Sequence, residues 1–146
     1  MMATFAASWF CLDTALAALG GDKSSVLADA AAFHGTWSSQ PLGRYEVQEI
    51  ASDGGWRVHE YLNGAGQVFA VTWSGAVMPD LQRLLGAHFA AYANAYAALP
   101  RPGLQRSLRL ASSDLVVEYA GHLRAYHGRA YLPALLPADL AAANLE

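Results

Sequence analysis

The histidines and carboxylates of this chain are the groups that could hold a metal ion or transfer a proton. His59 and Glu60 are neighbours in a run of strand-forming residues. Consecutive side chains of a strand point to opposite faces of a sheet, so these two could not share an ion. His122 and His127 lie in a second strand-like stretch and would also point to opposite faces, unless His122 lies in a turn. The sequence therefore predicts no metal site and no bound cofactor.

Covalent catalysis finds little support in the sequence. The chain has one cysteine, Cys11, and lacks a Gly-x-Ser-x-Gly motif. Carboxylates are available on predicted strands and turns, but no spacing singles out an acid and base pair among Glu46, Glu49, Glu60, Asp114 and Glu118. We expect no catalytic residues, and keep as an alternative an enzyme of unrecognised class that uses His59 or His122 with a strand carboxylate.

Aromatic residues on the predicted strands are the more suggestive set. Their side chains point to both faces of the predicted sheet, so one face covered by helices could not bury all of them. An exposed aromatic sheet face can bind a protein, a peptide or a glycan. We therefore predict a binding surface formed by four residues, His59, Tyr61, Tyr119 and Tyr126. The alternative is that Trp56 and Trp73 fill the core and the tyrosines only border it.

A β-hairpin over residues 57–75 would position the first of these side chains. Two runs of β-branched and aromatic residues are joined there by Asn63-Gly64-Ala65-Gly66. Residues 45–50 form another predicted strand, which makes an antiparallel meander of three strands. In its last strand, alternation places Phe69, Val71 and Trp73 on one face, which we expect to pack against a helix.

Two helices are predicted around this meander. The first spans residues 23–34, with Asp22 as its N-cap, and the second spans residues 79–99, with Pro79 at its first position. The second helix carries a leucine and tyrosine stripe, and we expect it to be the main packing partner of the hairpin. Residues 36–44 are rich in Ser, Gly and Pro and are predicted to form a loop.

A second set of strands is predicted over residues 107–111, 114–120 and 123–131, followed by a short alanine-rich helix over residues 138–143. The predicted fold class is α+β: an antiparallel sheet of about six strands in two meanders, with two helices packed on one face. The other face of the sheet would be open.

Length, charge and the N-terminal residues limit the class of protein further. The 146 residues suit one domain, and a net charge of −3 without a basic cluster argues against nucleic acid as a partner. Residues 1–17 are interpreted as a signal peptide or its remnant, ending at Ala15-Leu16-Ala17, although no Lys or Arg precedes Lys23. This apolar run is too short and too interrupted to be a transmembrane segment. The domain would then cover residues 18–144, with Leu145 and Glu146 interpreted as a cloning scar.

Several segments together resemble the bacterial domain-of-unknown-function family DUF2844. They are Ala17-Ala18-Leu19-Gly20-Gly21-Asp22, Val58-His59-Glu60-Tyr61, Gly66-Gln67-Val68-Phe69-Ala70-Val71-Thr72-Trp73-Ser74-Gly75 and Pro79-Asp80-Leu81. The resemblance implies an exported protein, periplasmic or secreted, and it supplies no activity. We predict a non-catalytic binding or envelope-assembly domain, with a protein, peptide or glycan of the cell envelope as partner. The alternatives are the enzyme above and a structural protein that self-associates through an edge strand.

Overall fold

The computed structural model describes residues 19–100 and 106–145, so the predicted signal peptide lies outside the described residues. Along these residues, one helix precedes four strands, and two further helices precede three more strands. They are α1 (Lys23–Ala32), β1 (Gly35–Leu42), β2 (Tyr45–Ser52), β3 (Trp56–Asn63), β4 (Val68–Gly75), α2 (Leu81–Leu85), α3 (Phe89–Ala97), β5 (Ser107–Ala111), β6 (Val116–His122) and β7 (Ala125–Tyr131). Among the helices of these residues, none is both long and apolar enough to cross a bilayer.

The strands form one antiparallel sheet in the order β1-β2-β3-β4-β7-β6-β5. This confirms the α+β class and the antiparallel sheet, but the prediction of about six strands misses one. The additional strand is β1, in the stretch that we predicted to be a loop. β1 is an edge strand that is exposed along nearly its whole length. Its serines and Pro41 are therefore tolerated, because an edge strand needs neither an apolar face nor every N–H group.

The two meanders meet where β4 pairs with β7. Trp73 of β4 lies opposite Gly128 of β7. The second meander, β5-β6-β7, therefore begins at the far edge of the sheet with β5 and ends at the centre with β7. The chain reaches that far edge through α2 and α3. β4 becomes a central strand, and all six residues from Val68 to Trp73 are buried.

One face of the sheet, which we call the helix-covered face, packs against all three helices. Val58, Val71 and Trp73 form one core cluster with residues of α1, α2 and α3: Val26, Ala30, Leu84, Leu85 and Tyr92. This confirms that the second helical segment packs on the hairpin. The continuous helix predicted over residues 79–99 is wrong, because α2 ends at Leu85 and a 3-10 turn over Gly86–His88 precedes α3. The C-cap of α2 is Gly86, which has φ 47° and ψ −122°. Glycine reaches that backbone conformation at little cost, so the helix breaks there.

A β-bulge alters the facing of β4. Tyr61 pairs with Ala70 and Leu62 pairs with Val68, which leaves Phe69 as the extra residue. The prediction that Phe69 shares a face with Val71 and Trp73 is therefore wrong. Phe69 packs instead in a second cluster, on the opposite face of the sheet.

That opposite face, which we call the open face, is partly covered by the C-terminal tail, residues 132–145. Tyr61, Phe69 and Ala70 pack there against the tail, including Leu135, Leu136, Leu140 and Leu145. The helix predicted over residues 138–143 is wrong, since the tail is largely irregular and has one 3-10 turn at Ala142–Asn144 in that region. Leu145, which we had excluded from the fold as part of a cloning scar, is only 4% exposed.

The pairing of β4 with β7 predicts a strong effect of a single methyl group at Gly128. A Cβ added there would lie 2.6 Å from Cε2 of Trp73 and 2.7 Å from the backbone oxygen of Glu118. We expect Gly128→Ala to lower the free energy of unfolding by about 1–3 kcal/mol, because the indole has to move within a packed core. Urea unfolding followed by tryptophan fluorescence measures this.

The matched control is Gly64→Ala in the β3–β4 turn, where the nearest atom to an added Cβ is 3.9 Å away. We expect its effect to stay within about 0.5 kcal/mol. Equal effects of the two substitutions would contradict the close packing of Trp73 over Gly128.

Candidate binding groove on the open face

Polar side chains cross the open face in a single row. Directly paired residues of neighbouring strands lie on the same face, so the strand register places six side chains side by side: Glu49, His59, Thr72, Arg129, Glu118 and Arg109. Acidic and basic members of this row alternate on either side of Thr72, as cross-strand charge pairs commonly do.

Contacts between acidic and basic side chains hold both ends of this polar row. His59 Nε2 lies 2.9 Å from Glu49 Oε2, so the histidine contacts Glu49 and not the adjacent Glu60. At the other end, Glu118 accepts from Arg129 Nη2 at 2.7 Å and from Arg109 Nε at 2.7 Å. Glu118 is therefore neutralised from both neighbouring strands.

A second row beside the first contains polar groups that do not contribute to the ion pairs. Arg57, Ser74 and His127 lie opposite one another on β3, β4 and β7, and all three are exposed. Arg57 has no ion pair among the described residues. Guanidinium and imidazole groups are common ligands of carboxylates and phosphates, so this row supplies unused hydrogen-bond donors.

The two rows line a depression of about 400 Å³, which we call the groove. Strands β3, β4, β6 and β7 form it, and Leu145 of the tail also lines it. The lining side chains that can carry a positive charge are Arg57, His59, His127 and Arg129, whereas Glu118 is the only lining carboxylate among the described residues. Since Glu118 already receives two arginines, the groove has a surplus of positive charge and favours an anionic ligand.

A second depression, of about 370 Å³, lies on the same face towards β1. His59 lines both depressions, while Tyr45, Tyr61 and Asn144 line the second alone. His59 and the end of the tail therefore lie between two concave parts of one surface.

A model of the family described as a protein of unknown function, DUF2844, matches residues 15–145. The chain belongs to this family. No curated protein and no solved structure matches it. Because the family match extends to residue 145, the tail that lines the groove lies within the DUF2844 domain.

The structure of the DUF2844 domain separates the four residues that we predicted to form a binding surface. His59 and Tyr61 lie on the open face and both line the second depression, although Tyr61 is only 5% exposed. Tyr119 and Tyr126 belong to the register rows of Trp73 and Trp56, which face the helices, although Tyr119 also borders the groove that His59 lines. The four residues do not form one aromatic surface.

Tyr119 has a structural environment on that face. Its hydroxyl group hydrogen-bonds with those of Tyr92 and Tyr96, and burial raises the pKa of Tyr119 well above the usual tyrosine value. Tyr119 therefore stays neutral, and its contacts join β6 to α3 in the DUF2844 domain.

His122 and His127 lie on the same face, contrary to our prediction. β6 ends at His122 and β7 begins at Ala125, with Leu123 and Arg124 between them, so the two histidines belong to neighbouring strands. The prediction of opposite faces had applied strand alternation across this turn. Nevertheless, among residues 19–100 and 106–145 no group of three or more His, Cys, Asp or Glu side chains could hold a metal ion.

The sequence analysis missed Arg57, Ser74 and Arg129 as residues of the groove. Arg57 and His59 alternate with buried Val58, and His127 and Arg129 alternate around Gly128, which is a pattern of polar residues on one strand face. The pattern could have been recognised on each strand. That the two strands lie on either side of β4 is a long-range feature that one sequence does not contain.

Arg129 also fixes the tail, and this predicts a local loss of order on substitution. Its Nη1 donates to the backbone oxygen of Ala142 at 2.9 Å, while its Nε donates to Glu118 at 2.7 Å. We expect Arg129→Gln to destabilise the domain by about 1–2 kcal/mol and to increase amide hydrogen exchange within the tail, because two half-buried acceptors lose a charged donor.

The control is Arg109→Gln, which removes the other arginine from Glu118. The Arg109 side chain is 67% exposed, so we expect its effect to remain below about 1 kcal/mol and the tail to exchange as in the wild type. If the amides of the tail exchange equally slowly in both variants, Arg129 does not hold the tail in place.

Proposed function

We propose that this DUF2844 protein is a non-catalytic binding domain that holds an anionic group of its ligand in the groove of the open face. The observation that supports this most is the row of Arg57, Ser74 and His127, which are exposed side by side on three central strands. The ion pairs of the neighbouring row do not involve them. The groove therefore presents donors that a ligand can use.

Arginine makes carboxylates and phosphates the expected ligand groups. Its planar guanidinium can donate two parallel hydrogen bonds to either anion, and Ser74 and His127 add donors from the adjacent strands. A volume of about 400 Å³ is at the small end of ligand sites, so the groove suits one acidic side chain, chain terminus or sugar acid and not a large cofactor. Between these anions we favour a carboxylate, since acidic peptides and acidic glycans are partners that an envelope protein can meet.

Export is part of the proposal. The apolar residues before Asp13, and Ala15-Leu16-Ala17 after it, resemble the core and the cleavage site of a signal peptide. A periplasmic or secreted protein would meet its ligand in the cell envelope, which is where the partner that we propose is found. Cell fractionation of the full chain, with immunodetection of the mature form, tests this part separately.

A catalytic role is the second candidate, because His59 contacts Glu49 at the edge of the groove. A carboxylate beside a histidine holds the ring in one orientation, which is how many general bases are arranged. Under this alternative, Glu49→Gln would abolish turnover of a screened substrate while leaving its binding nearly unchanged. Under the binding proposal, neither the wild type nor this variant turns over any of the screened substrates.

A third candidate is self-association through β1. This edge strand is exposed, and it carries the half-exposed side chains of Trp37 and Leu42. An unpaired edge can add a strand from a second copy, although Pro41 removes one backbone donor from it. Sedimentation velocity over a wide range of concentration distinguishes this candidate, because a strict monomer would exclude it.

The binding proposal predicts a specific effect at Arg57. Oligoglutamate and oligogalacturonate serve as carboxylate probes, and oligoglutamine and maltotriose as their neutral counterparts, in titrations followed by 1H-15N NMR. We expect saturable shifts at Thr72, Ser74 and His127 with the acidic probes alone. Arg57→Gln should weaken this binding roughly tenfold, or about 1.4 kcal/mol, because one charged donor pair is lost.

Arg124→Gln is the matched control, since it makes the same change of charge at the exposed β6–β7 turn outside the groove. Its affinity should stay within about twofold of the wild type. Binding that weakens equally in both variants would indicate a general charge effect, and the absence of shifts at the groove would disprove the proposal.

A further inference from the structure

A buried group of polar side chains lies between α1 and the helix-covered face of the sheet. Asp29 of α1, Gln48 of β2 and Glu60 of β3 are each 0% exposed, within a cluster that is otherwise apolar. Gln48 and Glu60 are directly paired across β2 and β3, so their side chains lie next to each other on that face. Asp29 reaches the same point from the helix, and its carboxyl group contacts that of Glu60.

Hydrogen bonding leaves this group rich in acceptors. Arg83 of α2 donates from Nε to Asp29 Oδ1 at 2.6 Å. Four other buried oxygens receive no donor from the described residues: Asp29 Oδ2, Gln48 Oε1 and both carboxyl oxygens of Glu60. A buried acceptor without a donor is costly, so something must supply one.

Turning the Gln48 amide around cannot supply it. Its Nε2 donates to Glu46 Oε1 at 2.6 Å and contacts Ser39 Oγ at 3.0 Å. In the reversed orientation, the amide oxygen would face the carboxylate of Glu46. The orientation of Gln48 is therefore fixed by Glu46, and its oxygen remains an acceptor.

Charge leads to the same requirement. If both carboxyl groups were ionised, two negative charges would share the single positive charge of Arg83. The other charged groups around the cluster do not help, because Lys23 pairs with Glu46 at 2.7 Å and Asp80 adds a further negative charge at the start of α2. One buried negative charge would lack a counterion, which strongly destabilises a folded protein.

We propose that Asp29 and Glu60 share one proton in the folded protein, so that protonation is linked to the docking of α1 and α2 on the sheet. Glu60 is the acid and donates to Asp29 Oδ2, while Asp29 is the carboxylate that receives Arg83. This arrangement gives one negative charge for one positive charge. It also converts the contact of two carboxyl groups from a repulsion into a hydrogen bond across the α1–β3 interface.

The pKa values agree with this assignment. Burial, and then the neighbouring Asp29, raise the pKa of Glu60 to about 8 from an ordinary value of 4.5. Burial also raises the pKa of Asp29, to about 6, but the hydrogen bond and the charge of Arg83 oppose this rise. Asp29 is therefore the stronger acid of the two, and Glu60 retains the proton.

The pH dependence follows from the raised pKa of Glu60. Between its unfolded value near 4.5 and its folded value near 8, the folded state binds more protons than the unfolded state. The stability from the protonated pair is complete below this window and is lost as the pH rises through it. Alkaline conditions should therefore loosen α1 from the sheet.

Urea unfolding from about pH 5 to about pH 9 tests the proposal. We expect the midpoint of the wild type to fall steadily as the pH rises, whereas Glu60→Gln, whose amide imitates the protonated acid, should show little fall. Asp53→Asn neutralises an exposed acid in the β2–β3 turn, and we expect its midpoint to fall with pH as that of the wild type does. The proposal would be overturned if the wild-type midpoint did not fall as the pH rises, or if the midpoint of Glu60→Gln fell as much as that of the wild type.

Two further measurements on the wild type do not depend on whether the variant folds. NMR titration of the Glu60 side-chain carboxyl carbon should give a midpoint near 8, and a midpoint near 4.5 would overturn the proposal. Unfolding at alkaline pH is then repeated with excess CaCl2, and with NaCl in place of choline chloride. A midpoint raised by either cation would show that the four oxygens hold a metal ion in place of the proton, and would also overturn it.

Discussion

The burial of β4 on both of its faces is the constraint on which the rest of the structure depends. A strand at the centre of a sheet has backbone groups paired on both edges and side chains covered on both faces. β3 and β7 provide the edges, the helices cover one face, and the tail covers part of the other. The bulge at Phe69 turns one more large side chain towards the tail, so both faces of β4 contribute to a core.

This arrangement also explains where the groove lies. The tail covers only the end of the open face near Phe69, and the same face continues beyond it along β3, β4 and β7. Polar residues occupy that continuation: paired charges in one row, and Arg57, Ser74 and His127 in the next. The carboxylates on the two faces therefore differ in their partners: Glu118 pairs with two arginines, whereas Glu60 pairs with no arginine among the described residues.

Local features of the fold could be predicted from the sequence, and long-range features could not. The N-cap Asp22 accepts from the backbone of Ser24 and Ser25 as expected, and β5 has the predicted bounds. β1 was missed because an edge strand lacks the apolar alternation that identifies a buried one. The break at Gly86 and the bulge at Phe69 were missed because both leave the apolar pattern of the sequence nearly unchanged.

The joining of β4 to β7 has a consequence for the order in which the chain folds. The hairpins on either side of this junction connect residues close in sequence, and such contacts form quickly. The β4–β7 ladder closes a loop that contains α2, α3, β5 and β6, so its formation carries the larger loss of chain entropy. We expect this closure to limit the rate of folding, with the tail docking only afterwards, since its cluster includes Tyr61 and Phe69 from one half of the sheet and Tyr131 from the other.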